Sequence, residues 1–175
     1  MVRSVKNNWD RGVDFESTYR RILRHLHLHS NYNITKCYDA ILLTQLRNGC
    51  RVSESVNAFL EFVKTSQVEV YVDVAKKKQR EQRLVIIPSE VIHLRDYCKE
   101  LLSVDFKKLV DRVKHYCRYT YKFNTHSLRY AFITYLLRNG VNVSIIAKIT
   151  RHSRLDYILR YTQEKVADRV LRDLF

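Results

Sequence analysis

Apolar side chains recur every three or four residues over 35–46 and again over 53–63, which predicts two amphipathic helices. Thr35 is the expected N-cap of the first helix, and Gly49 is expected to end it. Ser53 is the expected cap of the second helix. The apolar positions that define the two buried faces are Tyr38, Ala40, Ile41, Leu42 and Leu46, followed by Val56, Phe59, Leu60 and Val63.

The period of the pattern changes to two after the second helix. Over residues 68–74, valines alternate with polar residues, as in a half-buried β-strand. Residues 84–87 form a short apolar run that predicts its partner strand, and the polar residues 76–82 predict the turn between the two. Pro88, with Ser89, then predicts the start of a further helix.

The second half of the chain has helical spacing throughout. Glycine and proline number only 3 and 1 in 175 residues, which disfavours an all-β fold with its many tight turns. The expected fold is therefore mainly α with a small antiparallel β-sheet, an α+β fold in one compact domain. The helices predicted in this half cover residues 106–117, 126–138, 143–150, 156–162 and 165–174.

The composition indicates a folded protein with an anionic partner. Hydrophobic residues make up 46% of the chain, enough for a substantial core. Lys and Arg number 32 against 18 Asp and Glu, and this net charge of +14 favours nucleic acid. No apolar run approaches the roughly 20 residues of a membrane span, and the first residues do not read as a secretory signal. We expect a soluble, cytoplasmic protein, or a virus- or plasmid-encoded one.

Four cysteines, at positions 37, 50, 98 and 117, lack the close pairs of zinc and redox motifs. We interpret them as reduced thiols in the core. Histidines 25, 27 and 29 alternate with leucines, and we interpret them as a solvated or phosphate-facing stripe, because the segment has no clear acidic or cysteine partner for a metal.

The chemistry-bearing residues fit the cleavage of a phosphodiester. Such a reaction needs a nucleophile, an acceptor for its proton, cations for the non-bridging oxygens and a proton donor for the leaving oxygen. His126 and Arg129 lie three residues apart on one predicted helix, so they share a face. The candidate residues are Arg51, a lysine within 76–78, His126, Arg129, His152 and Tyr161.

Each candidate also has a structural interpretation. Taken by itself, Arg51 is also compatible with a solvated loop. The two histidines are also compatible with helix caps or packing residues. The chain has 12 tyrosines, and Tyr157 lies one helical turn before Tyr161. Glu54 is expected to orient an arginine or to cap a helix rather than to take part in the chemistry.

The order of these motifs resembles the catalytic domain of the tyrosine recombinases, the integrase family. The motifs are Gly49-Cys50-Arg51-Val52-Ser53-Glu54, a hairpin lysine, His126-Ser127-Leu128-Arg129, Arg151-His152-Ser153 and, nine residues after His152, Tyr161. The resemblance covers residues 34–161. It implies an N-terminal extension or linker at 1–33, a catalytic domain at 34–163, and a C-terminal helix at 164–175 that docks in cis or in trans.

By this resemblance Tyr161 is the nucleophile, and Arg51 and Arg129 bind the non-bridging oxygens. His126 positions the tyrosine or accepts its proton, and His152 donates a hydrogen bond to the phosphate. The lysine that protonates the leaving 5′ oxygen is Lys78 by its spacing from Arg83. Lys76 and Lys77 remain alternatives, because the glycines of the family's hairpin pattern are absent here.

The resemblance further implies a DNA transesterification that needs no metal or nucleotide cofactor. The expected partners are double-stranded DNA and further copies of the chain, usually as a tetramer, with no membrane and no small-molecule substrate. The alternatives are type IB topoisomerase-like cleavage and religation, and a non-catalytic DNA-binding module.

Two features depart from the family pattern. Arg151 occupies the position before the second histidine, where the family usually has glycine, which raises the question of whether the turn is built differently. The segment before Ile34 is also too short for the helical domain that clamps the opposite face of the DNA in this family.

Overall fold

The computed structural model describes residues 13–28, 33–75, 81–152 and 172. These ranges contain helices and one two-stranded antiparallel sheet, so the predicted fold class is confirmed. The elements are α1 (Phe15–Leu28), α2 (Ile34–Asn48), α3 (Val52–Thr65), β1 (Glu69–Asp73), β2 (Gln82–Ile86), two 3₁₀ helices (Ser89–Leu94 and Lys99–Ser103), α4 (Phe106–Tyr121), α5 (Thr125–Arg138) and α6 (Val143–Thr150).

Three expectations fall on residues outside these ranges. They are the hairpin turn, of which 76–80 are not described, the helix at 156–162, and the helix at 165–174 apart from residue 172. The other predicted helices in the second half agree with α4, α5 and α6, although α4 extends four residues beyond the predicted end at Cys117.

Helix α2 forms the centre of the core. All ten residues from 37 to 46 are buried, and the helix packs against α1, α3, α4 and α5. A helix that is enclosed on every side needs apolar residues around most of its circumference, and the run Ala40-Ile41-Leu42-Leu43 provides them. The elements that carry the candidate site residues are therefore arranged around one buried helix.

The ends of α2 and α3 correct two predicted caps. Asn33, rather than Thr35, caps α2, and its side-chain oxygen accepts a hydrogen bond from the Thr35 backbone N–H at 3.0 Å. Helix α3 begins after Arg51 rather than after Ser53, and the Glu54 carboxylate accepts the Arg51 backbone N–H at 2.9 Å. Gly49 ends α2 in the left-handed conformation at φ 57°, as predicted.

The sheet buries one face against α3. Val70 and Val72 of β1 point inwards, opposite Val85 and Arg83 of β2. The predicted alternation is thus confirmed for the middle of β1. Val68, which the alternation placed on the buried face, is 39% exposed because it precedes the strand.

The segment after Pro88 departs from the predicted helix. It forms the two short 3₁₀ helices, with Val91, Leu94 and Leu101 buried. Short 3₁₀ segments act as connectors, and here they lead the chain from β2 to the start of α4.

The interpretation of all four cysteines as reduced thiols is wrong for two of them. A disulfide joins Cys37 on α2 to Cys98 between the 3₁₀ helices, with 5.7 Å between the Cα atoms. Cys50 and Cys117 are buried free thiols, as expected. The two partners are 61 residues apart in sequence, so the spacing of cysteines along the chain contains no signal of this pair.

Helix α1 is an element that the hydrophobic pattern did not predict. Phe15 stacks on Tyr135 of α5, with 4.2 Å between ring centroids, and also contacts Phe132. Ile22 and Leu26 complete its buried face. Within the ranges that the structure describes, none of the helices combines the length and apolar character that crossing a bilayer requires.

Candidate active site

The candidate site lies where the end of α2, the start of α5 and the end of α6 meet. Arg51 follows α2, Arg129 lies in the second turn of α5, and His152 follows α6. Buried Gln45 fixes the first two of these segments, because its amide nitrogen donates to the backbone oxygens of Cys50 (3.2 Å) and Thr125 (2.9 Å).

The Arg129 side chain joins all three segments. Nη1 donates to the Gly49 carbonyl at 2.8 Å, and Nη2 donates to the Thr150 carbonyl at 2.6 Å. The residue is 1% exposed, and its Nε is buried without a hydrogen-bond partner among the described residues. Burial, together with the charges of Arg51 and Arg83, lowers the pKa of Arg129 to about 10. The guanidinium therefore remains charged at neutral pH in a fixed position.

His152 lies against this guanidinium. Its Nδ1 is 3.2 Å from Arg129 Nη2 and 2.8 Å from Thr150 Oγ1, and its backbone N–H donates to the Ala147 carbonyl at 3.1 Å. Burial is the largest cause that lowers the pKa of His152 to about 3, followed by the charges of Arg129 and Arg51. The imidazole is therefore neutral at physiological pH in this arrangement.

His126 occupies the first turn of α5. Asn124 caps this helix, and its side-chain oxygen accepts the Ser127 N–H at 3.1 Å. The His126 ring meets Tyr130 edge-on at 4.8 Å between centroids. His126 is exposed, and its charge contributes to the lowered pKa of His152, so the two histidines belong to one electrostatic site.

A single buried carboxylate holds the arginine that follows α2. Glu54 pairs with Arg51 at 3.0 Å and with Arg83 at 3.4 Å, and it also accepts the Ala75 backbone N–H at 3.1 Å. Glu54 thus both orients an arginine and caps α3, which are the two roles expected from the sequence. The Arg51 side chain keeps 26% of its surface exposed.

Arg83 is a residue of the site that the motifs in the sequence did not indicate. It is 2% exposed, and its Nη2 donates to the Asn48 carbonyl at 2.7 Å at the end of α2. The signal that reveals it is the strand alternation: Arg83 falls on the same face of β2 as buried Val85. An arginine at an inward position needs a buried partner, and Glu54 is that partner.

Arg151 keeps the backbone conformation that glycine would adopt. Its φ is 55°, in the left-handed region, at the C-cap of α6. The side chain extends to the hairpin, where Nη1 lies 3.0 Å from Glu81 Oε1. The departure from the family pattern therefore leaves the turn intact and adds a cross-link.

The structure brings together four of the six candidate residues: Arg51, His126, Arg129 and His152. Lys78, with the alternatives Lys76 and Lys77, lies outside the described residues, as do Tyr161 and Tyr157. The described neighbours on either side of the lysine segment, Ala75 and Glu81, contact Glu54 and Arg151 respectively.

The site concentrates positive charge. Arg51, Arg83 and Arg129 lower the pKa of His152, whereas Glu54 is the carboxylate that pairs with Arg51 and Arg83. Such a surplus of buried or partly buried cations suits an anion with several oxygens, such as a phosphodiester. In the part of the chain that the structure describes, no group of three or more His, Cys, Asp and Glu side chains is arranged to hold a metal ion.

Comparison with known sequences identifies related proteins. Residues 88–167 match the phage integrase family. A putative integrase, ORF241, of Acidianus two-tailed virus is 39% identical over 172 residues, covering 97% of this chain and 70% of the relative. The uncharacterized protein MJ0770 of Methanocaldococcus jannaschii is 29% identical, and the putative integrase V10 of Sputnik virophage is 24% identical. These two matches cover 99% and 95% of this chain and 92% and 90% of the relatives.

Solved structures show the same fold. A crystal structure of the XerH site-specific recombinase bound to a palindromic difH substrate, a post-cleavage complex, matches with a TM-score of 0.62 and 14% identity. A pre-cleavage complex of XerH matches with a TM-score of 0.58 and 14% identity. The matches cover 97% and 90% of this chain but only 55% and 51% of the XerH chains, so this chain spans about half of their length. The sequence match to the viral integrase, together with the family match and the shared fold, shows that the chain belongs to the tyrosine recombinase (phage integrase) family.

Proposed function

We propose that this chain cleaves and rejoins double-stranded DNA as a site-specific recombinase, through a 3′-phosphotyrosyl intermediate. The observation that carries the proposal is the cluster of Arg51, Arg129, His126 and His152, residues far apart in sequence. Arg129 contacts His152, and Arg51 and His126 are near enough to lower the pKa of His152. Burial is the largest cause of the lowered pKa values of Arg129 and His152, and the neighbouring cations add to it; a bound phosphate would oppose this second contribution.

The arginines would hold the scissile phosphate. Arg51 has an exposed edge that would donate charge-assisted hydrogen bonds to the non-bridging oxygens of a phosphate. Arg129 is buried and fixed by two carbonyls, so its contribution to such a phosphate would be mainly the attraction of its charge. Neutral His152 would donate one further hydrogen bond. These contacts strengthen as negative charge develops on the oxygens in the transition state.

The nucleophile in this proposal is Tyr161. Its phenol oxygen attacks phosphorus, the bond to the 5′ oxygen breaks, and the DNA 3′ end becomes linked to the tyrosine. His126 accepts the phenol proton, and Lys78 supplies a proton to the leaving 5′ oxygen. A 5′ hydroxyl of a partner strand then attacks the phosphotyrosyl bond and releases the tyrosine, so that the number of phosphodiester bonds is unchanged.

Strand exchange between two duplexes requires several copies of the active site. We infer a homotetramer on DNA, with residues 164–175 as the segment that docks either in cis or on a neighbouring copy. Val166, Val170, Leu171 and Leu174 are spaced as the apolar face of a helix in that segment.

The experiment that tests the proposal uses a nicked suicide DNA substrate, from which the cleaved fragment is lost so that religation cannot occur. The protein is incubated with this DNA and examined for a protein–DNA band that survives denaturation. Wild type is expected to form the band, Tyr161→Phe is expected to lose it, and Tyr157→Phe is the matched control that retains it.

Three outcomes contradict parts of the proposal. Loss of the band only with Tyr157→Phe would assign the nucleophile to the other tyrosine. A covalent band combined with supercoil relaxation but no exchange between duplexes would indicate topoisomerase-like chemistry. Absence of the band with wild type on the suicide substrate would reject catalysis by this chain.

A further inference from the structure

The hydroxyl of Thr150 is buried between a carbonyl group and the His152 ring. Thr150 is the last residue of α6 and is 0% exposed. Its Oγ1 lies 2.7 Å from the Ile146 carbonyl oxygen and 2.8 Å from His152 Nδ1. Both distances are those of hydrogen bonds, but the hydroxyl has only one proton. The other bond therefore needs a proton from the second partner.

The carbonyl group decides the direction of the two bonds. A carbonyl oxygen can only accept, so the Thr150 hydroxyl donates to Ile146, and its oxygen accepts from a protonated Nδ1 of His152. If the hydroxyl donated to Nδ1 instead, two oxygens would lie 2.7 Å apart with no proton between them. The hydrogen-bond network thus assigns the ring proton to Nδ1 and leaves a lone pair on Nε2.

The Arg129 guanidinium does not select between the two ring nitrogens. Its Nη2 lies 3.2 Å from Nδ1 and 3.4 Å from Nε2 of His152. The two nitrogens direct their proton or lone pair away from each other, so one N–H cannot point along both directions. The near-equal distances therefore describe a contact with the ring as a whole. Burial, together with the charges of Arg129 and Arg51, lowers the pKa of His152 to about 3, so the ring has one proton at neutral pH.

We propose that Thr150 is a positioning residue, which holds the His152 ring by Nδ1 and sets which ring nitrogen has the proton. This inference rests on the proposed function, in which neutral His152 donates a hydrogen bond to a phosphate oxygen. Because Thr150 occupies Nδ1 in the free site, that hydrogen bond has to come from Nε2. The ring proton therefore changes position when the phosphate binds.

The change of tautomer keeps the ring neutral. One proton passes from Nδ1 to water, and one is taken up from water at Nε2, which then donates to the phosphate. The Thr150 hydroxyl turns to donate to Nδ1, since a hydroxyl can donate as well as accept. The Ile146 carbonyl loses a neutral hydrogen bond, but the bond from Nε2 to a charged phosphate oxygen is stronger. Valine, which has a similar shape but no hydroxyl, would hold Nδ1 in neither state.

The first test records nitrogen NMR shifts of labelled histidine in the free protein, because protonated and unprotonated ring nitrogens differ widely in shift. Wild type is expected to have a protonated Nδ1 at His152, and Thr150→Ser is expected to keep it. Thr150→Val is expected to have the proton on Nε2, the tautomer that the histidine side chain favours without a partner. The spectrum of His152→Gln identifies which signals belong to His152.

The second test repeats the measurement with DNA bound. Tyr161→Phe is used with duplex DNA, because this variant would not cleave it under the proposed function. The proton of His152 is expected to be on Nε2 in the complex. A ring with its proton still on Nδ1 would overturn the change of tautomer, and so would a ring with protons on both nitrogens.

The third test measures single-turnover cleavage of the suicide substrate. Thr150→Val is expected to reduce the cleavage rate by about 10-fold or more, because the ring that contacts the phosphate loses its anchor. Its DNA affinity should stay within about threefold of wild type, since that affinity rests on many phosphate contacts. Thr150→Ser is expected to cleave within a few-fold of the wild-type rate.

Thr44→Val is the matched control for the loss of a buried hydroxyl. Thr44 of α2 is also 0% exposed, and its Oγ1 donates to the Ala40 carbonyl at 2.9 Å. Both valine variants are expected to lower the melting temperature by a similar amount, about 2 to 4 °C. Only Thr150→Val should change the His152 signals and the cleavage rate.

The outcomes separate this inference from the proposed function. A protonated Nε2 in the free wild type would overturn the role of Thr150, as would the same tautomer in wild type and Thr150→Val. Equal slowing of cleavage by Thr44→Val would show that lost stability accounts for the effect. Failure of wild type to cleave would reject the proposed catalysis, whereas the NMR shifts of the free protein would still decide whether Thr150 sets the tautomer.

Discussion

At the scale of single residues, the arrangement of the arginines depends on the Glu54 carboxylate. It is 2% exposed and contacts two guanidiniums and two backbone N–H groups. Without it, buried Arg83 and partly buried Arg51 would lie close together with no compensating charge. An uncompensated buried charge is costly, whereas the intact pair need not stabilise the fold strongly by itself.

We predict that Glu54→Ala lowers the free energy of unfolding by about 3 kcal/mol, because removing one partner of a buried ion pair leaves the other unpaired. Urea denaturation followed by circular dichroism measures this change. Glu61→Ala is the matched control on the same helix, because Glu61 is only half-buried, and its effect should be below about 0.5 kcal/mol. Similar losses of unfolding free energy for the two variants would contradict the role of Glu54 as the buried partner of the arginines.

A second buried carboxyl lies away from the site. Asp39 of α2 is fully buried and accepts hydrogen bonds from the hydroxyls of Tyr116 (3.0 Å) and Tyr121 (2.6 Å) of α4. Burial raises the pKa of Asp39 to about 7, and the two hydrogen bonds oppose the rise only in part.

This raised pKa fixes the sign of a pH effect. The native protein holds the Asp39 proton more tightly than the unfolded chain does, so protonation of Asp39 favours the folded state. This contribution to stability is complete below about pH 4 and is lost as the pH rises through about 7. We predict that wild type loses stability relative to Asp39→Asn over this range, by at most about 1.4 kcal/mol per pH unit. Denaturation curves at pH 4 to 8 measure the difference, and parallel curves for the two proteins would refute it.

At the scale of elements, the C-terminal end of α2 determines the geometry of the site. Gly49 ends the helix, its carbonyl accepts the Arg129 hydrogen bond, and the chain then turns to Arg51. A side chain at position 49 would overlap the Phe132 ring of α5. Two requirements therefore coincide at Gly49, the left-handed φ and the close approach of α5.

We predict that Gly49→Ala lowers the free energy of unfolding by about 3 kcal/mol, from backbone strain together with the clash against Phe132. Gly140→Ala is the matched control, since Gly140 also has a positive φ, 75°, but open space at its Cβ position. This control should lose only about 1 kcal/mol. Equal losses in chemical denaturation would show that the contact with Phe132 contributes nothing.

At the scale of the whole molecule, the Cys37–Cys98 disulfide joins the central helix to the segment that connects the sheet with α4. Closing a loop of 61 residues restricts the unfolded chain, and the loop-entropy model gives a stabilisation of about 4 kcal/mol for this length. One covalent bond thus fixes the central helix to the segment that leads into α4.

We predict that a reducing agent lowers the free energy of unfolding by about 2 to 4 kcal/mol in urea denaturation, and that Cys98→Ala gives a similar loss. Alkylation after unfolding provides an independent check. It should modify two thiols without reductant and all four with it. Four reactive thiols before reduction would contradict the disulfide.

The net charge of +14 also belongs to the scale of the molecule, and in the proposed function it would attract the chain to DNA. Each neutralised phosphate releases counterions, so even two phosphate contacts give a slope of about −1.8 in log affinity against log salt. We predict that affinity for duplex DNA falls at least about tenfold between 50 and 200 mM salt. Fluorescence anisotropy titrations measure this fall. Binding that did not depend on salt would exclude phosphate contacts as the main source of the affinity.

The sequence by itself determined most of the elements and the local motifs, but it did not indicate α1 or the 3₁₀ form of the segment after Pro88. The helix periodicity, the valine alternation and the end of α2 at Gly49 each depend only on residues a few positions apart within one element. The pairs Arg51 with Glu54 and His126 with Arg129 are likewise local. Exact caps were less predictable, because Asn33 and Thr35 lie two positions apart and both residue types are able to cap a helix; Asn33 is the observed cap.

Only the tertiary structure decided which distant residues meet. The Cys37–Cys98 disulfide, the burial of Arg83 against Glu54, and the Arg151–Glu81 pair span 61, 29 and 70 residues. The carbonyls that hold Arg129 also belong to two other segments, at Gly49 and Thr150. These contacts depend on how the helices pack around α2, and packing is a property of complementary surfaces that no spacing along the chain specifies.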